Sequence, residues 1–143
     1  MRGDIDVRKL WWVGPLTIVA ANLAVLAVRV VAFATLDLSP EFPPLTYVGL
    51  ALFTTVLVGI GVLLFAVVAR RALTPIRTYR RIALVALLFS LVPDVFLVGS
   101  GPGATWPAAI VLMVMHVAAW LPTMLILTNR ALVDSRRGYS PRR

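Results

Sequence analysis

The 143-residue sequence contains no cysteine, one histidine and six acidic residues. Without cysteine, the chain cannot form a disulfide, present a thiolate nucleophile or attach haem covalently. A single histidine cannot provide bis-histidine haem ligation, and with the one carboxylate that lies in an apolar stretch it offers too few ligands for a metal site. We therefore predict no cofactor and no bound metal. The sequence favours a protein that is not an enzyme.

Charged residues of both signs are also scarce. Only 14% of the residues are charged, whereas 60% are hydrophobic and the mean hydropathy is +0.92. These values lie outside the usual range for a water-soluble domain. The few charges are concentrated in short polar segments between long apolar stretches. This segregation predicts an integral membrane protein that crosses the bilayer several times.

Four apolar stretches, at about 10–36, 45–69, 82–98 and 106–128, predict four transmembrane helices. The third helix is expected to begin at Pro75, before it enters lipid, so the predicted helices cover about 10–36, 45–69, 75–98 and 106–128. Each contains close to the roughly 20 apolar residues that a helix needs to cross a bilayer. The connections between them are short, which favours antiparallel neighbours. We therefore predict an all-α fold, in which a single transmembrane domain over 1–143 forms an up-down-up-down four-helix bundle.

The connections carry their own local signals. Residues 39–44, with three prolines, predict a stiff extended segment, and residues 99–103, with three glycines, predict a flexible turn. Thr74 followed by Pro75 is typical of an N-cap and first helical position, and Thr105 is the expected N-cap of the fourth helix. The connections are too short to fold alone.

The basic residues predict the orientation, because arginine and lysine in short segments are difficult to translocate. The two tails and the segment between the second and third apolar stretches, residues 70–81, hold 13 of the 14 basic residues. These residues are Arg2, Arg8, Lys9, Arg70, Arg71, Arg77, Arg80, Arg81, Arg130, Arg136, Arg137, Arg142 and Arg143. We therefore predict a multi-pass protein of the cell inner (plasma) membrane, with both termini inside as cytoplasmic tails at 1–9 and 129–143.

The net charge of +8 bears on the partners of the chain. Nucleic acid is not an expected partner, because no soluble surface is large enough to dock a duplex. The basic residues lie beside the predicted membrane-spanning ends, so we expect them to contact anionic lipid headgroups of the bilayer. Candidate protein partners are a second copy of this chain or another membrane protein.

Three ionisable residues fall inside the apolar stretches: Arg29, Asp94 and His116. Inserting such a residue into hydrocarbon costs about 2.5 to 3.5 kcal/mol of free energy at the centre of a spanning helix. Each of the three therefore needs an explanation. Counting helical rise from the predicted ends places all three in the outer half of the bilayer. An ion pair between Arg29 and Asp94, with His116 nearby, is geometrically allowed and costs less than either isolated charge. We therefore treat the three as a candidate intramembrane polar cluster.

Each member of this cluster also has a simpler interpretation. The Arg29 side chain can extend to the outer headgroups, and Asp94 can mark the start of an extracellular turn after a helix that is kinked or ended by Pro93. His116 can be a packing residue with a hydrogen-bonded ring. Taken together, these simpler interpretations are favoured over a cluster in which all three residues meet.

Three further polar residues are candidates for a supporting role. Asn22 lies seven residues before Arg29 and therefore on the same face of the first helix. Ser90 lies one turn before Asp94 on the third helix, and Glu41 lies in the outer connection. Polar stripes of this kind normally face protein rather than lipid.

Several short motifs resemble a known family when taken in order: Ser39 to Thr46, Leu91 to Asp94, Pro102 to Thr105 and Met113 to His116. They are similar to an uncharacterised bacterial family of four-helix membrane proteins, classified as a domain of unknown function. The resemblance covers about 11–128. It implies a bacterial inner-membrane protein with four spans and no assigned activity, and it assigns no catalytic residue.

Three functions compete. The first is a non-enzymatic accessory or interaction protein, in which the polar cluster fixes helix packing and the basic segments contact anionic lipid. The second is a small transporter or proton-linked carrier, in which Asp94 and His116 exchange a proton and Arg29 holds an anionic substrate. The third, an enzyme acting on lipid or quinone, has only Ser90, Asp94 and His116 as a hydrolytic trio, and two of these share one helix. The sequence favours the first.

Overall fold

The computed structural model describes residues 7–40 and 42–131. This part of the chain is all-helical and contains no strand, as predicted. A short 3-10 turn leads into four helices: α1 (Leu10–Thr35), α2 (Tyr47–Arg71), α3 (Pro75–Leu97) and α4 (Trp106–Arg130). Where these ends differ from the predicted ones, they differ by one or two residues.

Threonine side chains define two of the helix starts. The Thr105 hydroxyl accepts a hydrogen bond from the Ala108 amide at 3.4 Å, so the predicted cap of α4 is confirmed. The Thr46 hydroxyl accepts from the Gly49 amide at 3.2 Å, which starts α2 two residues later than predicted. Thr74 precedes α3, but its side chain makes no capping hydrogen bond. The start of α3 therefore depends on the proline that follows it.

Each helix packs beside its neighbours in the chain. α1 contacts α2 and α4, and α3 contacts α2 and α4, while α2 and α4 also touch across one diagonal. The most extensive contact joins α1 to α4. The four helices are thus arranged around a square in which α1 and α3 occupy opposite corners.

Two apolar clusters lie at opposite ends of the bundle. The loop-end cluster contains Val25, Ala32, Leu38, Phe42, Leu45, Leu50, Ala104, Ala108, Val111, Leu112 and Met115. The terminal-end cluster contains Val13, Phe65, Val68, Tyr79, Met124, Leu127 and Ala131. Each cluster joins the late part of one helix to the early part of the next, so neighbouring helices run in opposite directions. We call the two ends of the bundle the loop end and the terminal end.

The two connections at the loop end pack against each other through Gly103. This glycine has φ +76°, a conformation that L side chains rarely adopt. A Cβ atom there would lie 2.8 Å from the Ser39 Cβ and 3.0 Å from the Phe42 Cβ. The segment around Gly103 is therefore in close contact with Ser39 and Phe42 of the other connection, and it is not a free turn.

Three helical segments are long and apolar enough to cross a membrane: 7–35, 47–71 and 106–130. α3 differs because Arg77, Arg80 and Arg81 occupy its first two turns and Asp94 lies near its end. Its uninterrupted apolar part begins only at Ile82. α1, α2 and α4 therefore have the length and apolarity expected of membrane spans. That α3 also crosses the membrane stays a prediction.

Candidate functional site: two buried polar groups near the loop end

Arg29 lies on the buried face of α1, with only 8% of its surface exposed. Its Nε donates a hydrogen bond to the Leu45 carbonyl at 2.8 Å. The guanidinium carbon lies 3.7 Å from the centre of the Tyr47 ring and 4.3 Å from that of Phe33. Cation–π contacts are strongest when the cation is desolvated, at about 2 kcal/mol or more. Two rings and one carbonyl therefore replace much of the water that this charge gives up.

The local sequence explains why these groups meet. Phe33 follows Arg29 by four residues, so the two side chains share one face of α1. The Thr46 hydroxyl accepts the Gly49 amide hydrogen bond, so the Leu45 carbonyl is left outside the hydrogen-bond ladder of α2 and accepts from Arg29. The same cap that starts α2 thus supplies the acceptor for the buried arginine.

Asp94 and His116 form the second polar group. The Asp94 Oδ2 lies 3.2 Å from the His116 Nδ1, with the aspartate 4% exposed and the histidine side chain about a quarter exposed. The same Nδ1 lies 2.9 Å from the Leu112 carbonyl. One N–H cannot point straight at both acceptors, and its geometry favours Leu112. The Asp94 Oδ2 is therefore buried in close contact with the imidazole but without a hydrogen bond.

Asp94 lies inside α3, which continues through Pro93 as far as Leu97. The interpretation that the helix ends at Pro93 is therefore wrong. One reason is that a proline within a helix removes only one backbone hydrogen bond, and the helix continues where tertiary contacts support it. His116 lies near the middle of α4, the helix that packs beside this part of α3. The pair is thus a direct contact between two neighbouring helices.

The structure does not bring Arg29 to this pair. No ion pair joins Arg29 to Asp94, both of which lie in the described part of the chain. The reason is the helix order, because α1 and α3 occupy opposite corners of the bundle. The ion pair that helix depth alone allowed is therefore absent, and the expected three-residue cluster is two separate groups.

The supporting candidates have other partners. The Asn22 amide donates to the Ile18 carbonyl at 2.9 Å and to the Thr55 hydroxyl at 3.2 Å, which links α1 to α2. The Ser90 hydroxyl donates to the Leu87 carbonyl of its own helix at 2.7 Å. Ser90 makes no hydrogen bond to His116, so the arrangement gives no support to a hydrolytic trio. Glu41 lies outside the described residues.

Three residues at these groups were not predicted from the sequence: Phe33, Tyr47 and Thr55. The spacing of four between Arg29 and Phe33 is a usable signal, since such pairs are neighbours on a helix. Tyr47 gives no such signal, because its contact with Arg29 depends on where residues 42–46 place the start of α2 against α1. The Thr55 contact depends in turn on the rotation of α2 against α1, which hydropathy does not reveal.

Together the helices and the two buried polar groups define a class of protein. The described residues form an all-helical protein with three helices long and apolar enough to cross a membrane, and with two buried polar groups toward one end. The chain belongs to a family of unknown function (DUF6069), whose profile matches residues 5–132. The resemblance to a domain of unknown function is thereby confirmed. No curated protein and no solved structure matches the chain.

Proposed function

We propose that this chain is a non-enzymatic accessory or interaction protein of the bacterial inner membrane. The observation that carries this proposal is the placement of Arg29, whose charge contacts two rings and a backbone carbonyl of the same chain. An arginine held in this way fixes residues 45–47 against α1. Buried polar groups that join helices in this manner favour one packing arrangement over others.

The proposed membrane placement has all four helices crossing the bilayer, up-down-up-down. α3 has 23 residues, about 34 Å of helix, which exceeds the hydrocarbon thickness of roughly 30 Å. Its three arginines lie in the first two turns, where long side chains reach the headgroups. The described terminal end carries many arginines, whereas Arg29 is the one basic residue described near the loop end. This asymmetry supports a cytoplasmic terminal end.

A second candidate, a proton-linked carrier, is favoured by one specific observation. The Asp94 Oδ2 is buried without a hydrogen bond and lies 3.2 Å from a partly exposed imidazole. A carboxylate and an imidazole in contact can share one proton, and an intramembrane pair of this kind is a common device in proton relays. Arg29 would not belong to such a site, because it contacts other groups.

Native mass spectrometry of the protein, released gently from its own membranes, distinguishes the two candidates. The samples are the wild type, Asp94→Asn, and the control Asp37→Asn, which changes an exposed aspartate just beyond α1. For an accessory protein we expect a partner chain or the same lipids in all three samples. A bound small molecule that disappears only in Asp94→Asn would contradict the first proposal and support the carrier.

A further inference from the structure

An apolar groove runs along α3 and α4 toward the terminal end, and its lining shares no residue with the two polar groups described above. Its volume is about 350 Å³, near the lower limit of the roughly 300–1,000 Å³ typical of small-molecule sites. The residues that line it include Arg80, Leu84, Trp120, Leu121, Leu125 and Thr128. Arg80 is the single charged residue among the lining residues. The groove thus combines one cation with an otherwise apolar wall.

The polar atoms of the groove wall other than those of Arg80 are occupied within the protein. The Trp120 Nε1 donates to the Ala83 carbonyl at 3.2 Å, across the α3–α4 contact. The Thr128 hydroxyl donates to the Met124 carbonyl at 2.7 Å. An occupant of the groove therefore meets carbon atoms along its length and a guanidinium at one position.

The cation and the apolar wall are ordered along the bundle. Arg80 lies in the second turn of α3, close to the terminal end, and Leu84 lies one turn farther toward the middle. Arg77 and Arg81 are exposed at the same level as Arg80. Among the described residues, no carboxylate lies within ion-pair distance of Arg80. A ligand that fits has an anionic head at the terminal end and a hydrocarbon chain that points inward.

We propose that this groove is a binding site for an anionic phospholipid, with one acyl chain against Leu84, Trp120 and Leu121 and its phosphate on Arg80. Charge complementarity supports this occupant, because a guanidinium binds phosphate oxygens with paired hydrogen bonds. Neighbouring arginines also raise the local concentration of anionic lipid. The site rests on the proposed function in one respect: α3 must cross the bilayer with the terminal end at a headgroup layer.

The test uses the full-length protein, reconstituted in equimolar phosphatidylglycerol and phosphatidylcholine vesicles and then analysed by native mass spectrometry. Wild type is expected to retain phosphatidylglycerol preferentially. Arg80→Gln should lower bound phosphatidylglycerol about tenfold, as expected for loss of a charge-assisted pair of hydrogen bonds. Leu84→Trp should fill the groove and reduce both lipids. The control Arg71→Gln removes an equal charge from the end of α2 and should retain the wild-type preference.

If Arg80→Gln and Arg71→Gln retain equal amounts of phosphatidylglycerol, the proposed site is wrong. It is also wrong if inorganic phosphate displaces the bound phosphatidylglycerol. Arg80→Lys, which keeps the charge, provides a folded comparison and should retain an intermediate amount. Cysteine labelling of Leu73→Cys, which tests the side of the membrane independently, separates the two possible failures. If labelling agrees with the proposed orientation while retention is unchanged, the lipid site alone is wrong. If lipid is lost only in Arg80→Gln while labelling disagrees, the orientation alone is wrong.

Discussion

At the scale of single residues, the chain places its buried polar groups against partners that do not carry a full opposite charge. Arg29 contacts aromatic faces and a carbonyl. The buried hydroxyls of Thr17, Thr123 and Thr128 donate to carbonyls one turn earlier, as Thr17 does to Val13 at 2.7 Å. These local bonds satisfy donors in an apolar environment without a second helix. Asp94 is the exception, because its Oδ2 has only the imidazole of His116 beside it.

The contact between Tyr47 and Arg29 gives the first prediction at this scale. Tyr47→Leu removes the nearer ring and should lower the free energy of unfolding by about 1–2 kcal/mol. Tyr47→Phe keeps the ring face and is the matched control, with a change expected below about 0.5 kcal/mol. Thermal unfolding in detergent measures both.

A double-mutant cycle isolates this interaction. In an Arg29→Leu background the cation is absent, so Tyr47→Leu should lose most of its additional effect. An equal loss in both backgrounds would mean that Tyr47 stabilises the fold by packing alone.

At the scale of elements, the existence and type of all four helices follow from hydropathy, and Thr105 follows from capping chemistry. α2 begins two residues later than hydropathy predicts, because prolines at 43 and 44 favour a 3-10 turn before the Thr46 cap. Helix depth was also a poor guide to contacts between helices. It placed Arg29, Asp94 and His116 at similar levels, but it contains no information on which helices occupy opposite corners.

Gly103 gives the prediction at the scale of elements, where the two connections of the loop end meet. Gly103→Ala should destabilise the protein by about 1–3 kcal/mol, because its φ is positive and a Cβ would collide with Ser39 and Phe42. Gly101→Ala is the control, since φ there is not positive and a Cβ would enter open space. Its change should be within about 0.5 kcal/mol. Equal melting temperatures for the two variants would show that the connections do not pack as described.

At the scale of the whole molecule, charge and apolar packing divide the bundle into two different ends. The terminal end holds the described arginines of α2, the first turns of α3 and the end of α4, and it holds the groove lined by Arg80. The loop end holds the Arg29 contacts and the packed connections. The sequence predicts this division well, because the positions of the basic residues between the apolar stretches assign them to one end of the bundle. It does not predict the groove, which depends on the angle and register between α3 and α4.

The central claim is that all four helices cross the membrane and that the two ends of the bundle face opposite sides. The chain has no cysteine, so Gly101→Cys and Leu73→Cys each introduce a unique thiol, at an exposed position of the loop end and of the terminal end. A membrane-impermeant maleimide, applied from the periplasmic side of intact spheroplasts and then after lysis, measures their accessibility. We predict that Gly101→Cys reacts in intact spheroplasts and Leu73→Cys only after lysis. Reaction of both thiols from the same side would contradict the crossing of α3.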